Sequence, residues 1–222
     1  MGKARAQRII IWIIAVVMIV GTIGSFVLMM LSQKNTQDQT AEMNKLYSQY
    51  ESQVNAQTKS LSDKYYATFS TYQSQVAPFD ASSVTALQTQ DLTVGTGDTL
   101  SDTSSFRAYY IGWGPDGKVF DSSIDASTKS LKAPLDAGPG QVIQGWIDGV
   151  KGMKVGGVRL LTIPAAEAYG ATGSGCSSST DTSSCTIKPN TPLKFIIMTI
   201  PEADVTPPAA LVQYEEQQQQ AQ

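Results

Sequence analysis

The segment Gln141–Met153, QVIQGWIDGVKGM, is the part of the chain from which the fold can be worked out. Its apolar residues Ile143, Ile147 and Val150 lie at i, i+4 and i+7, so they form one stripe of a helix. Three glycines interrupt the segment, although each costs up to about 1 kcal/mol relative to alanine inside a helix. The glycines indicate a short helix that approaches a sheet closely and leaves room for the Trp146 ring to line a hollow.

The composition excludes several classes of catalyst. The chain has no histidine, which rules out Ser-His-Asp triads, Cys-His pairs and histidine zinc sites, and its two cysteines cannot form a four-thiolate site. Activity must therefore depend on carboxylates, hydroxyls, backbone amides or shape, and we expect no cofactor and no metal. The net charge of -3 and the scattered basic residues after residue 10 argue against nucleic-acid binding.

The N-terminus contains an uncharged apolar run from Ile9 to Leu31, long enough for the roughly 20 residues that a membrane-spanning helix needs. Basic residues in segment 1–8 precede it, so the positive-inside rule places that segment in the cytoplasm and the rest of the chain outside. We expect a single-pass anchor over 9–31 in a cell membrane, in a bacterium. The alternative is a cleaved signal peptide, which the continuing apolar residues 26–31 disfavour.

The segment 32–79 predicts a helical stalk. Between about 36 and 77 its apolar residues recur with a mean spacing of about 3.7 residues when one polar step near Gln57 is allowed, close to a straight amphipathic helix. They are Met43, Leu46, Tyr50, Val54, Leu61, Tyr65, Phe69, Tyr72 and Val76. This stripe could self-associate weakly with a second copy or lie against the following domain, and a solvated linker is the alternative. At the other end, the low-complexity segment 202–222 predicts disorder.

Residues 80–201 have the composition of a compact α+β domain. Short runs of strand length occur at Phe106–Trp113, Lys118–Ser123, Val158–Pro164 and Leu193–Ile200. The turn sequence GPDG joins the first two, which predicts a hairpin. One short helix fits, around Gln144–Lys151. The pattern predicts a mostly antiparallel sheet with one helix packed across it.

Five motifs occur in a fixed order over roughly residues 91–200. They are VGTGD (Val94–Asp98), DGKVFDSS (Asp116–Ser123), GQVIQGWIDGVKGMKVGG (Gly140–Gly157), LTIPAAEAYGATG (Leu161–Gly173) and IKPNTPLKF (Ile187–Phe195). Each is weak alone, but together and in this order they resemble the FKBP-type peptidyl-prolyl isomerases. The resemblance implies a twisted sheet of five to six strands wrapped around the short helix, with an apolar pocket between them.

The resemblance also implies which residues form the pocket. Trp146 is expected as the floor on which a proline ring sits, and the Ile143 amide and Tyr169 hydroxyl as donors to substrate carbonyls. Asp121, held by Tyr110, is expected at the pocket edge beside the rotating carbonyl. The implied substrate-binding residues are Tyr110, Phe120, Val142, Ile143, Trp146, Tyr169, Ile187 and Phe195, and the implied catalytic residues are Asp121, Tyr169 and Ile143.

The implied function is isomerisation of Xaa-Pro bonds in extracytoplasmic polypeptide clients, which assists their folding. The alternatives are a catalytically weak binding or chaperone module tethered to the membrane, and a structural protein that works through the stalk. Two departures from the family favour weak catalysis. Ala133 stands where an aromatic residue is frequent, and segment 122–134 is longer and lacks the arginine that often pairs with the aspartate.

Cys176 and Cys185 bracket a polar loop, CSSSTDTSSC, in the insertion after Tyr169. An oxidising compartment would allow a disulfide between them, worth somewhat under about 3 kcal/mol for so short a loop. Two unpaired thiols are the alternative. In the family this loop overhangs the active site, so a disulfide there is expected to stiffen it.

Overall fold

The computed structural model describes residues 40–176, 184–201 and 203–220. The anchor predicted over 9–31, with the flanking segments 1–8 and 32–39, lies outside these ranges. Within them, no helix combines the length and the hydrophobicity that crossing a membrane requires. The chain divides into two compact units, Val54–Val205 and a second unit of Met1–Gln53 with Thr206–Gln222.

A six-stranded antiparallel sheet forms the centre of the Val54–Val205 unit in the described residues. Its strands are β1 (Gln88–Thr93), β2 (Phe106–Trp113), β3 (Val119–Ser122), β6 (Leu135–Ala137), β7 (Val158–Ile163) and β8 (Leu193–Ile200). Their order is β1-β7-β8-β2-β3, and β6 continues the edge of β2 beyond β3. The predicted hairpin of β2 and β3 and the antiparallel sheet are confirmed.

Both faces of the sheet are covered, so most residues of its central strands are apolar and buried on either face. Along β8, Phe195 and Ile197 pack in one hydrophobic cluster, whereas Ile196 and Met198 pack in the other. This alternation follows from the two-residue period of a strand. The first cluster contains residues of the short helix Gln144–Val150 and of the candidate site, and the second contains residues of the long helix 40–69.

Helix α2 (Gln144–Val150) lies on β7 and confirms the helix predicted at this segment. Its approach depends on two glycines. A Cβ added at Gly149 would lie 2.7 Å from Leu161 Cδ1, and one at Gly145 would overlap the Ile163 side chain. Ile143 was predicted on the helix stripe, but it is the N-cap residue with an extended backbone. Its side chain is only half-buried because it precedes the face that packs on the sheet.

Arg159 of β7 holds the C-terminal end of α2 and also strand β1. Its Nη1 donates to the carbonyl oxygens of Gly149 at 2.9 Å and Lys151 at 3.0 Å. Its Nε and Nη2 donate to the two carboxylate oxygens of Asp91 at 2.6 and 3.1 Å. The Arg159 side chain is 8% exposed, so one buried cation donates to four acceptors on two other segments of the chain, β1 and the end of α2.

Helix α1 spans residues 40–69 and continues into the 3-10 turn Ser70–Gln75. The apolar stripe predicted from its sequence is the side that is buried or half-buried. In the Val54–Val205 unit, Leu61 and Phe69 pack in the second cluster with Tyr109 and Trp113 of β2. The sequence leaves two alternatives for the apolar stripe, self-association and packing against the following domain. The part of the stripe at Leu61 and Phe69 packs against the domain. The compact unit therefore begins at Val54, before the predicted boundary at 79/80.

The long segment between β3 and β6 forms a small hairpin of β4 (Ile124–Asp125) and β5 (Ser130–Leu131), which leans on α1. The Leu131 N–H donates to Ser62 Oγ at 2.8 Å, and both residues are buried. Ile124 and Leu131 belong to the same hydrophobic cluster as Leu61. The hydrogen bond and the apolar contacts of this hairpin therefore connect α1 to the edge of the sheet.

The second unit contains helix α3 (Ala209–Gln220) where disorder was predicted. Tyr47 Oη donates to Glu215 Oε1 at 2.8 Å, and Leu211 is buried. The glutamine-rich composition misled the prediction because alanine, leucine, glutamine and glutamate are all good helix formers. Pro208 immediately precedes the helix, where its fixed φ and missing N–H favour a helix start.

Replacing Asp91 with alanine should lower the free energy of unfolding by about 2–3 kcal/mol, because it leaves the buried Arg159 guanidinium without its carboxylate. Asp63→Ala, which breaks the exposed pair with Lys59, should cost no more than about 0.5 kcal/mol. Urea unfolding of both variants measures the difference. The hydrogen bond from Arg159 lowers the pKa of Asp91. The contribution of this ion pair to the free energy of unfolding is therefore present above the ordinary carboxyl pKa, and it is lost as the pH falls from that value through the lowered pKa. Equal losses in the two variants would contradict this role.

Candidate active site

A cavity of about 340 Å³ opens between the N-terminal end of α2 and the strands β2, β3 and β8. We call it the ring pocket. Its lining residues are Tyr110, Phe120, Asp121, Leu135, Gly140, Gln141, Val142, Ile143, Trp146, Tyr169 and Phe195. Its volume is near the lower end of small-molecule sites, which suits a single ring with its adjoining backbone.

Trp146 forms the floor of the ring pocket. The residue is 3% exposed, and the Tyr110 and Phe195 rings stand nearly perpendicular to it, with centroids 5.4 and 5.3 Å away at 73° and 81°. Phe120 meets Phe195 edge-on, at 5.6 Å and 81°. Such edge-to-face pairs contribute about 0.5–1.5 kcal/mol each beyond the area that they bury. The edge-to-face contacts among these four rings therefore fix their orientations around the pocket.

Gly112 in β2 allows two of these rings to lie against the strand. A Cβ at this position would lie 2.6 Å from Phe195 Cε1 and 2.7 Å from Phe120 Cζ. Any larger residue would push both rings away from the strand and into the cavity. The Tyr-x-Gly pattern at the end of β2 is thus required by the packing of the pocket walls.

Asp121 lies at the rim with its carboxylate oriented by neighbours. Tyr110 Oη donates to Asp121 Oδ2 at 2.5 Å, and the Ser122 N–H donates to Oδ1 at 2.8 Å. Lys132 Nζ lies 3.9 Å from Oδ1, at the edge of the segment that lacks the family's arginine. With both side chains more than half exposed, this ion pair is weak. The phenol is therefore the main constraint on the carboxylate.

The two tyrosines of the pocket keep their protons at neutral pH. Burial raises the pKa of Tyr110 far above its ordinary value, and the hydrogen bond to Asp121 raises it further. Burial also raises the pKa of Tyr169, with a smaller effect from the Asp121 charge. Both hydroxyls are consequently neutral donors throughout the physiological range.

Among the described residues, no group of three or more cysteine, aspartate or glutamate side chains could hold a metal ion.

Comparison with known proteins identifies the family. A sequence model described as FKBP-type peptidyl-prolyl cis-trans isomerase matches residues 97–200. An FK506-binding protein of Neisseria meningitidis serogroup A is 42% identical over 86 residues, which are 39% of this chain and 76% of that protein. The chain belongs to the FKBP-type peptidyl-prolyl isomerase family. The suspected resemblance is confirmed, and the protein is a peptidyl-prolyl cis-trans isomerase.

Two further relatives are similar to this chain. An FK506-binding protein 4 of Gibberella zeae is 44% identical over 90 residues, 40% of this chain and 17% of that protein. The solved structure of a peptidyl-prolyl cis-trans isomerase from Pseudomonas syringae pv. tomato has 32% sequence identity and a TM-score of 0.41. That match covers 51% of this chain and 73% of the Pseudomonas chain.

The structure gathers eight of the nine site residues expected from the FKBP resemblance around the ring pocket. The exception is Ile187, which is 6% exposed and lines a neighbouring cavity that Phe120 also lines. Leu135, Gly140 and Gln141 also line the pocket and were not predicted to. Ala133 itself is exposed and is not among the lining residues, but Leu135 lies two positions after it. Gly140 and Gln141 precede Val142 directly, so adjacency in sequence was the available signal.

The insertion after Tyr169 is closed at its base. Cys176 and Cys185 are joined by a disulfide, and Ser174 and Ile187 pair through reciprocal backbone hydrogen bonds of 2.8 and 3.0 Å. Residues 177–183 between them lie outside the described ranges. The isomerase domain therefore carries a cross-linked loop whose two stems start beside the pocket.

Proposed function

We propose that this protein isomerises Xaa-Pro bonds of extracytoplasmic polypeptides by enclosing them in the ring pocket, without covalent or metal chemistry. The observation that carries the proposal is the arrangement of Tyr110, Phe120 and Phe195 as upright walls around the Trp146 floor. A pyrrolidine ring is compact, apolar and small enough for such a space. Clients of this kind are proline-containing chains that are still folding.

The chemical task is rotation about an amide bond, whose partial double-bond character gives a barrier of about 18–20 kcal/mol. Uncatalysed exchange at Xaa-Pro takes tens to hundreds of seconds. The planar amide is more dipolar than the twisted one, so an apolar surrounding destabilises the ground state relative to the transition state. Four aromatic residues supply that surrounding, and no nucleophile or base is needed.

Gripping the ring is useful only if the substrate backbone is held while the bond turns. Tyr169 offers a neutral hydroxyl in the pocket lining, and its raised pKa keeps the proton in place. Ile143 is the N-cap of α2, so its backbone N–H precedes the turn in which helix hydrogen bonds begin. We assign these two donors to substrate carbonyl oxygens.

Asp121 is assigned to the rotating carbonyl on its carbon side. The Tyr110 hydroxyl and the Ser122 N–H leave the carboxylate with free lone pairs and a fixed orientation. A carboxylate at the rim repels a carbonyl oxygen that turns toward it and attracts the carbonyl carbon. This interaction favours one direction of rotation over the other.

Trp146→Ala and Phe120→Ala should each lower kcat/KM for a short Xaa-Pro peptide at least about tenfold, because each removes a surface that contacts the proline in the transition state. Tenfold corresponds to roughly 1.4 kcal/mol of transition-state stabilisation. The matched control is Phe79→Ala, because the Phe79 ring packs on the second cluster and contacts Lys194. A protease-coupled peptide assay of the full chain gives the rates.

The same assay separates the enzyme from the binding module. Wild-type rates at background with tight binding of a proline peptide would favour the module, for which Ala133 and the absence of an arginine from segment 122–134 are the motive. Unchanged rates in folded Trp146→Ala would contradict the assigned site. A loss in Phe79→Ala equal to that in Phe120→Ala would show that the effect is one of stability.

We further propose that residues 9–31 anchor the protein in the cell membrane of a bacterium with the isomerase domain outside the cytoplasm. The uncharged run of that segment supports this placement, as do Lys3, Arg5 and Arg8 before it. The Cys176–Cys185 disulfide suits an oxidising compartment. The stripe at the N-terminal end of α1 could add weak self-association.

Full-length protein expressed in a bacterium should remain in the membrane fraction after an alkaline carbonate wash, because an apolar helix resists extraction. Protease added to intact spheroplasts should remove the isomerase domain. Mass spectrometry of the untreated protein should find residues 1–31 still attached. A soluble product that begins after residue 24 would instead support the signal-peptide alternative.

A further inference from the structure

A second cavity, of about 650 Å³, adjoins the ring pocket. We call it the side cavity. It lies between the β2–β3 turn, residues 114–119, and the chain from Cys185 to Leu193. Phe120 lines both cavities. The two cavities therefore meet at this side chain.

The side cavity has an apolar base and one exposed apolar wall. Ile187 is 6% exposed and Leu193 is fully buried beneath it. Val119, the first residue of the edge strand β3, is 46% exposed. Isolated exposed apolar residues are common, but this one stands beside an apolar base in a concave space. The surface is suited to burying an apolar side chain.

Both walls of the side cavity are held by hydrogen bonds that do not depend on a ligand. On one side, Ile187 pairs with Ser174, and the disulfide at Cys185 ties the same stem. On the other, the turn is closed by the bonds from the N–H of Gly117 to Gly114 O at 3.0 Å and from the N–H of Phe79 to Pro115 O at 3.0 Å. A preformed cleft loses little conformational entropy when it binds.

Its rim is solvated and carries more positive than negative charge. Lys118 and Lys188 are exposed, and Asp116 lies 3.5 Å from Lys118. These groups keep the opening wet and mark its edge, while the apolar atoms lie deeper. A peptide backbone can therefore cross the opening in water and place one side chain inside.

We propose that the side cavity receives an apolar side chain of the same polypeptide whose Xaa-Pro bond occupies the ring pocket. The proposal rests on the isomerase function assigned to that pocket. An extended chain advances about 3.3 Å per residue, so passing an aromatic ring takes about two residues. The receiving side chain thus belongs to the second or third residue from the Xaa-Pro pair. The protein then selects clients with an apolar residue near the proline.

Two peptides with the same central Xaa-Pro pair test this. One carries leucine and the other serine at the second and third positions on both sides of the pair. We expect the full-length protein to bind the leucine peptide about fivefold more tightly by calorimetry, since one more apolar side chain is partly removed from water. Val119→Asp should abolish this preference, whereas Val94→Asp, at a 69% exposed valine outside both cavities, should keep it.

Val119→Ser is a second, uncharged variant, included in case the aspartate disturbs the folding of β3. It should reduce the preference for the leucine peptide without abolishing it. Equal affinity of the wild type for the two peptides would overturn the proposal, and so would an unchanged preference in folded Val119→Asp. Isomerisation of the serine peptide by the wild type is measured separately. If the wild type does not isomerise the serine peptide but still prefers the leucine peptide, the catalytic role is refuted and the side-cavity proposal is not. If it isomerises the serine peptide but binds the two peptides equally, only the side-cavity proposal is refuted.

Discussion

The structure depends on the close contact between helix α2 and strand β7. Gly145 and Gly149 present bare backbone to Ile163 and Leu161, so the helix lies nearer the sheet than side chains would permit. Arg159, also on β7, then holds the carbonyl end of the helix through Gly149 and Lys151. Because the helix lies this close to the sheet, the Trp146 ring forms the base of a hollow between them. A larger distance between helix and sheet would leave no such hollow around the ring.

The opposite face of the sheet is occupied by α1, and the hairpin β4–β5 connects the two sides. Its residue Leu131 bonds to Ser62 of α1, and the Lys132 N–H donates to Ser123 O at 2.8 Å. Ser123 in turn exchanges hydrogen bonds with the backbone of Tyr110, through its N–H at 2.9 Å and its Oγ at 3.0 Å. A continuous set of short bonds thus runs from α1 to the tyrosine that orients Asp121.

Sequence reasoning succeeded where the signal was local or came from ordered motifs. The spacing in Gln141–Met153 predicted α2 to within one residue, and the GPDG turn predicted the hairpin of β2 and β3. The apolar period of α1 marked the side that is buried, but several partners fit such a stripe equally well. The ring pocket was assembled from motifs far apart in the chain, which only the family order brought together.

What the sequence could not reveal depends on long-range geometry. The pair Asp91–Arg159 joins residues 68 positions apart, and neither residue has a local pattern that predicts a partner. Lys132 approaches Asp121 only because the β4–β5 hairpin turns the chain back, and Ile187, whose stem pairs with Ser174, lines the side cavity and not the ring pocket. Helix α3 was missed because low complexity was weighed more heavily than the helix propensity of the same residues.

The most direct test of a proline site on the Trp146 floor uses ¹⁹F NMR of the full chain labelled with fluorotryptophan. The chain has three tryptophans, and Trp113 is an internal reference because it is buried on the opposite face, with its indole N–H donating to Ala77 O. A saturating Xaa-Pro peptide should shift the Trp146 signal and leave Trp113 unchanged, while the matching Xaa-Ala peptide shifts neither. A Trp146 signal unmoved by the proline peptide, or moved equally by both peptides, would contradict the account.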